Sequence, residues 1–408
     1  MRTAWWCGPE ACNRLRGRVM VKILLVSDIS AEEASGGAER VLIHHIHALK
    51  NAGYSLTILT RQPDPLSPTR VELEGGLVEH RLAYSGDRGL AGMVELFKGA
   101  REWWKHNNQF DLVISHQPFV MWALLYAGCK IPRLQVCHSF AFEEYAARHG
   151  LGMNLKSRLV AAGMRRMERK IYRSADRILV LSDFTRRRLG ECFQISHERI
   201  DVVPGGVDLP TLMSASQREK ARVQLGWKAP VVVTLRRLVP RTGVDMLVQA
   251  AAILHQDMPD VRWCIMGDGP LLKPLKWLSG QLQATEYIEF TGFIPEEDVN
   301  KRLQAADAFV LPTRSLEGFG LVTVEANACG LPVIATPVGA NPEVVASSPD
   351  NALAENISPE ALAAAVQKQL QGVSDARGRA VRLHEHVSRH YSWKKHESRF
   401  EQIVTGCL

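Results

Sequence analysis

Residues 314–339 read RSLEGFGLVTVEANACGLPVIATPVG, and the order of residue types in this stretch sets the fold class. Two carboxylates, Glu317 and Glu325, stand eight residues apart with Gly318-Phe319-Gly320 between them. A helix is expected to open on Leu321 and Val322. Gly330 suits its C-terminal cap, Pro332 forbids its continuation, and a short apolar strand follows at 333–335. Loop, helix N-terminus and strand in that order belong to an α/β protein. The first amides of a helix have no intrahelical acceptor and carry the positive end of the helix dipole. Gly318 and Gly320 let the backbone approach a ligand as a Cβ would not. The loop therefore suits a diphosphate, with carboxylates on both sides to accept hydrogen bonds from vicinal hydroxyls. The plainer alternative is an ordinary strand-to-helix turn with solvated glutamates.

Outward from this stretch, the chain reads as two similar halves. Residues 21–27 form a continuous apolar run, the first strand of a buried parallel sheet. Gly36 and Gly37 follow in a second glycine turn, SGGAER, leading into a helix through Lys50 that ends near Gly53. This turn lacks the GxGxxG spacing of a dinucleotide site and offers close backbone approach to phosphate or sugar. Further strands are expected at 55–60, 112–115, 134–138, 177–181 and 201–203. After the turn cluster VVPGGVD at 202–208 the pattern restarts, with strands at 231–235, 262–266, 288–290 and 308–311. Strands alternating with helices mean doubly wound sheets, here two Rossmann-like domains in tandem facing an interdomain cleft. The expected division is a disordered leader or misassigned start at 1–19, domains at 20–204 and 205–385, and a last helix, 386–408, crossing back onto the first domain.

Composition narrows the class. A chain of 408 residues with 46% hydrophobic and 23% charged residues has the make-up of a globular enzyme. No apolar run approaches the roughly 18 residues of a transmembrane helix. The eight cysteines show no Cys-x-x-Cys or Cys/His zinc spacing, so reduced thiols and a cytoplasmic setting are expected. Residues 156–188 hold eleven Lys/Arg against three Asp/Glu, an excess larger than the net +7 of the whole chain. With Met164, Met167 and Ile171 at helical spacing, this segment reads as a basic amphipathic helix suited to an anionic membrane surface on the cytoplasmic face. A solvated helix face is the alternative. Nucleic acid is disfavoured, because no aromatic platform accompanies the charge.

From Met20 onward the chain resembles the family-4 retaining glycosyltransferases, the glycosyl transferases group 1 of GT-B fold. The resemblance rests on SGGAERV at 35–41, VLSDFTRRRL at 180–189, VVPGGVD at 202–208, RRLVPRTGVDML at 236–247, MGDGPL at 266–271, TGFIP at 291–295 and the 317–336 stretch, in that order. It implies transfer of a hexose-type sugar, with retention, from a UDP-, GDP- or ADP-sugar to a lipid-linked or glycan acceptor in cell-envelope or polysaccharide synthesis. It also implies that no cofactor and no metal is required, in agreement with the absence of an Asp-x-Asp string. By resemblance, Glu317 faces the donor hexose, with Gly318, Phe319 and Gly320 around it. Leu321 and Val322 amides face the diphosphate, Glu325 the ribose, and Ile294 beside Phe293 the base. Arg237 matches the phosphate-binding arginine, and His138 the histidine near the reacting carbon, with His116 as its rival. Two departures stand out. Thr242-Gly243 replaces the usual Lys-Gly, leaving Arg241 or Arg236 to supply the second cation, and Gly205 replaces a common Asn. The competing readings are a sugar-nucleotide 2-epimerase-like isomerase and a non-catalytic nucleotide-sugar-binding protein.

Overall fold

Among the described residues, fourteen strands build two sheets. The computed structural model describes residues 20–30, 36–84, 90–149, 152–372 and 375–408, so the expected leader at 1–19 and Ser35 of the first glycine turn lie outside the described residues. The first sheet contains β1 (Lys22–Val26), β2 (Ser55–Arg61), β3 (Arg70–Leu73), β4 (Leu77–Leu82), β5 (Leu112–Ser115), β6 (Arg133–Cys137), β7 (Arg177–Val180) and β8 (Ile200–Val202). Their order is β3-β4-β2-β1-β5-β6-β7-β8. The second contains β9 (Val231–Leu235), β10 (Arg262–Met266), β11 (Ile288–Gly292), β12 (Ala308–Leu311), β13 (Val333–Ala335) and β14 (Ala352–Leu353), in the order β11-β10-β9-β12-β13-β14.

The second sheet shows why the apolar runs become strands. Its neighbouring strands pair in parallel, and successive residues of β9, β10 and β12 enter opposite cores. Val232, Ile265 and Val310 pack on one face, whereas Val231, Val233, Cys264, Met266, Phe309 and Leu311 pack on the other. Side chains alternate across a strand, so a sheet covered on both faces needs unbroken apolar sequence. Chain order reverses beside β9, making the junction of β9 and β12 a topological switch point, where ligands bind beyond the carboxyl ends of the strands.

The first sheet corrects the sequence reading most between residues 60 and 112, where no strand was expected. β4 pairs in parallel with β2 and in antiparallel with β3. Its signal is hidden because Glu79 and Arg81 point inward. Glu79 is fully buried and accepts from Thr60 Oγ1 at 2.6 Å and Ser30 Oγ at 3.2 Å, with Arg81 Nε at 3.3 Å. A buried ion pair with satisfied oxygens is tolerated in a core, but it breaks the apolar pattern on which a strand is recognised.

The chain divides into two compact units. One comprises the described residues up to Val136 with Lys170–Leu179 and Glu397–Leu408; the other comprises Cys137–Arg169 and Val180–His396. In the first, the Gly37–Asn51 helix starts from Gly36, and Gly53 follows it with φ +83°. The carboxylate of Asp28 caps the Pro118–Tyr126 helix, accepting from the amides of Phe119 and Val120 at 3.1 and 2.8 Å. Glu397 meets His44 at 2.7 Å, and Phe400 stacks on His45 with ring centroids 3.5 Å apart. In the second unit, Val207 N donates to Tyr391 O, and a Cβ on Gly206 would stand 2.6 Å from Trp393 N.

Candidate functional site at the β9–β12 switch point

Because β9 ends at Leu235 and β12 at Leu311, the segments 236–243 and 312–320 leave the sheet side by side. They are laced together. Arg241 O accepts from the amides of Arg314 and Ser315 at 2.9 and 3.3 Å, and Arg241 donates to Leu316 O at 3.3 Å. A Cβ on Gly243 would lie 1.9 Å from Pro312 O, and Gly243 has φ +69°, so only glycine fits this crossing. Leu316 is held at φ +62°, a costly conformation for a branched side chain, immediately before Glu317.

Glu317 is the centre of the arrangement. Its Oε2 accepts from Arg236 at 2.9 Å and from Thr313 Oγ1 at 2.9 Å. The Arg236 and Glu317 side chains are 9% and 10% exposed. Among the described residues no donor engages Oε1. The main chain of Glu317 is fixed too, since its carbonyl accepts from Ala340 N at 2.8 Å and a Cβ on Gly339 would collide with it.

Gly318 lies directly against the backbone of His138: a Cβ there would stand 2.6 Å from the His138 carbonyl oxygen. Gly318 O accepts from Ser182 Oγ at 2.6 Å and Thr185 Oγ1 at 3.3 Å. Ser182 is also the N-cap of the Asp183–Phe193 helix, whose first amides, Asp183 N and Phe184 N, donate to Glu343 at 2.9 and 3.0 Å. His138 follows β6 rather than closing it. Burial, with His396 adding, pulls its imidazole down to about 4, so it is neutral at physiological pH.

The helix Leu321–Ala328 opens as expected, with Gly320 at its N-cap at φ +80°. No side chain caps it, leaving its first amides for another acceptor. Thr323 Oγ1 and Asn341 Oδ1 are buried without hydrogen-bond partners among the described residues. They would be 3.4 and 3.6 Å from a Cβ on Gly320. Glu325 is half-buried one turn along this helix, and Phe319 is buried. Ile294 and Val322 pack against the same core as β9 and β12.

The two neighbouring arginines are separated in role. Arg236 turns in to Glu317, whereas Arg237 is exposed and forms no ion pair among the described residues. Thr242, where a lysine is usual by resemblance, is buried and bonds the turn itself: its hydroxyl lies 2.9 Å from Arg237 O and 2.7 Å from Val239 O. Gly205 also has a local reason, as a Cβ there would come within 2.6 Å of Leu321 Cδ2 and 3.1 Å of the Phe319 ring. Gly36 and Gly37 are placed in the other unit, as is His116, buried against His45 at 3.1 Å. Sequence reasoning missed Thr313, Ser182, Thr185 and Glu343. Only Ser182 left a signal, a Ser-x-x-Thr start to a helix inside a motif already noted.

Comparisons with known proteins give the family and the fold. The family described as Glycosyltransferase Family 4 matches residues 35–210, and that described as Glycosyl transferases group 1 matches 217–380. The chain is 32% identical over 247 residues to the GDP-mannose-dependent alpha-(1-6)-phosphatidylinositol monomannoside mannosyltransferase of Mycolicibacterium smegmatis, covering 58% of this chain and 64% of that one. The chain spans between 50% and 64% of the length of the first curated relatives it matches. Sucrose-phosphate synthase from Thermosynechococcus elongatus superposes with a TM-score of 0.80 at 22% identity, covering 95% of this chain and 98% of that one. The lipopolysaccharide-biosynthesis glycosyltransferase WaaG does so with 0.72 at 18% identity, covering 93% and 98%. The fold is GT-B, with two Rossmann-like parallel-sheet domains. By its two family matches and the motifs gathered at the β9–β12 switch point, the chain belongs to the family-4 glycosyltransferases.

Proposed function

We propose that this chain transfers a hexose, with retention and without a metal, from a nucleotide diphosphate sugar to a lipid-linked or glycan acceptor. The observation that carries the reading is Glu317, fixed by Arg236 and Thr313 with Oε1 left over, next to Gly318 and one turn before an uncapped helix N-terminus. An anion and a polyol find complementary groups there within a few residues. In this reading the amides of Leu321 and Val322 receive the diphosphate, and Glu317 Oε1 accepts from a hexose hydroxyl. Glu325 accepts from the ribose, and Ile294 lies against the base. The exposed guanidinium of Arg237 offsets the charge that develops on the leaving diphosphate. His138, neutral, acts as a hydrogen-bond partner near the reacting carbon. In the same-face displacement, the bond from carbon to acceptor oxygen forms as the bond to phosphate breaks. The acceptor proton passes to the leaving diphosphate oxygen.

The mannosyltransferase relative makes GDP-mannose the first donor to test and a phosphoinositide-type glycolipid the first acceptor. Among the described residues no helix is long and apolar enough to cross a membrane. Peripheral attachment at the cytoplasmic face is supported by the Leu155–Ser174 helix, where Leu155 and Leu159 are 75% and 65% exposed beside Lys156 and Arg158. Transfer from GDP-, UDP- and ADP-sugars, followed by anomeric analysis of the product, tests the proposal. Wild-type turnover persisting in Glu317→Ala and Arg237→Ala, an inverted product, or a strict metal requirement would each contradict it. Epimerised donor formed without acceptor would favour the isomerase.

A further inference from the structure

A groove of about 350 Å³ lies away from Glu317, lined by Ala162, Arg165, Arg166 and Arg169 of the Leu155–Ser174 helix and by Cys192 of the Asp183–Phe193 helix. Its volume matches the smaller ligand pockets of proteins. Arg165 and Arg166 lie one turn before Arg169, four and three residues from it, so each of the two shares a helix face with Arg169. Among the described residues none of the three pairs with a carboxylate. The neighbouring acids are engaged elsewhere: Arg188 holds Glu143 and Glu191, and Glu168 turns to the amides of Ala141 and Phe142.

Two of the arginines are held in place. Arg165 stacks over the Phe142 ring, 5.6 Å from its centroid, and reaches Cys192 O at 3.5 Å; Arg169 donates to Gln194 Oε1 at 3.0 Å. Those contacts explain Arg165 and Arg169 as partners for the end of the Asp183–Phe193 helix. They use one donor each of the five a guanidinium carries. They do not explain Arg166, which is exposed and makes no hydrogen bond among the described residues. Like charges gathered without a carboxylate repel one another, and a bound anion relieves that repulsion. Planar guanidiniums, two of them held by neighbouring groups, match the oxygens of a phosphate.

We propose that this groove is a second anion site, taking the phosphate of a small phosphoester. The phosphate belongs either to a soluble phosphorylated metabolite or to a phospholipid headgroup. The site is independent of the donor reading at Glu317, since it shares no residue with it.

Calorimetric titration of the full chain with inorganic phosphate and with glycerol 1-phosphate tests the proposal, alongside sedimentation with phosphatidylcholine vesicles with and without phosphatidylglycerol. The variants are Arg166→Gln/Arg169→Gln, the single Arg166→Gln in case the double variant does not fold, and Glu317→Gln as a control at the donor loop. Soluble phosphoester binding that weakens about tenfold or more in the arginine variants and persists in Glu317→Gln supports the site and names a metabolite as its source. Binding of the phosphatidylglycerol vesicles alone, with the same arginine dependence, supports it with the headgroup as source. Binding indifferent to the arginine variants, binding lost only in Glu317→Gln, or no binding of any probe overturns it.

Discussion

The difference between Arg236 and Arg237 is the sharpest residue-scale result. Two adjacent arginines have nearly equal claims in a sequence, but their side chains leave the backbone in different directions. Only Arg236 reaches Glu317, with both partners nearly buried. Removing one partner of such a pair strands the other's charge at a cost of roughly 3 kcal/mol, whereas an exposed residue contributes about 0.5 kcal/mol or less. Arg236→Ala is therefore expected to lower the urea midpoint clearly, and Arg237→Ala to leave it nearly unchanged while depressing transferase turnover. Equal destabilisation by both would refute the separation of roles. Gly318 makes a second case. A methyl group there would meet the His138 carbonyl at 2.6 Å, against backbone that cannot swing aside as a side-chain end can. Gly318→Ala is expected to cost at least tenfold in turnover, about 1.4 kcal/mol of barrier, by displacing the His138 loop from Glu317. Unaltered kinetics would show that the two need not be in register.

At the scale of elements, the Ala141–His149 helix and the loop before it are held by a group that titrates near neutrality. Glu168, fully buried on the Leu155–Ser174 helix, accepts from Ala141 N at 2.8 Å and Phe142 N at 3.2 Å. Burial pushes its carboxyl up to about 7, with Glu143 and Glu144 adding, against the pull of the two amides. Between its ordinary value of 4.5 and about 7 the folded chain thus holds more protons than the unfolded one. This contribution to stability falls as pH rises through that window. His138 acts in the opposite sense. Its value drops from 6.5 to about 4, so over that range the unfolded chain holds more protons and stability rises with pH. Each effect alone is on the order of 3 kcal/mol across its window, and over most of it they cancel. Single variants should expose them. In melts from pH 4.5 to 6.5, Glu168→Gln is expected to gain stability with pH more steeply than wild type. His138→Gln is expected to lose it. Parallel pH dependences in all three proteins would rule out the pairing. The amide also replaces one acceptor of the helix cap, a pH-independent loss of about 1 kcal/mol.

At the scale of the whole molecule, most of the second sheet was legible almost to the residue, because a strand buried on both faces must be written as an apolar run; β14, two half-buried residues at the sheet's edge, was not expected. β9, β10, β12 and β13 fall where VVVTL, RWCIM, AFVL and VIA predict them. β4 was not legible, since its inward Glu79 and Arg81 pair with each other. The Glu317 loop could be read because its glycines, helix start and proline stop are contiguous. The grip of Ser182 and Thr185 on Gly318 could not, because it joins residues more than 130 positions apart through hydroxyls that are common everywhere. Apart from Gly36 and Gly37, every residue assigned to the donor lies in the second unit. A nucleoside diphosphate without its sugar should therefore act locally. Ligand at about 100 times its dissociation constant stabilises what it binds by about 2.7 kcal/mol, close to a hundredfold slowing of exchange for amides released by opening of that part. Hydrogen exchange with GDP or UDP should slow along Leu321–Ala328 and residues 236–243, the elements that offer amides and arginines, and leave β3 and β4 unchanged. Protection spread evenly over β3, β4 and the Leu321–Ala328 helix would place the nucleotide elsewhere, because a diphosphate held at one helix N-terminus cannot stabilise strands that share no contact with it.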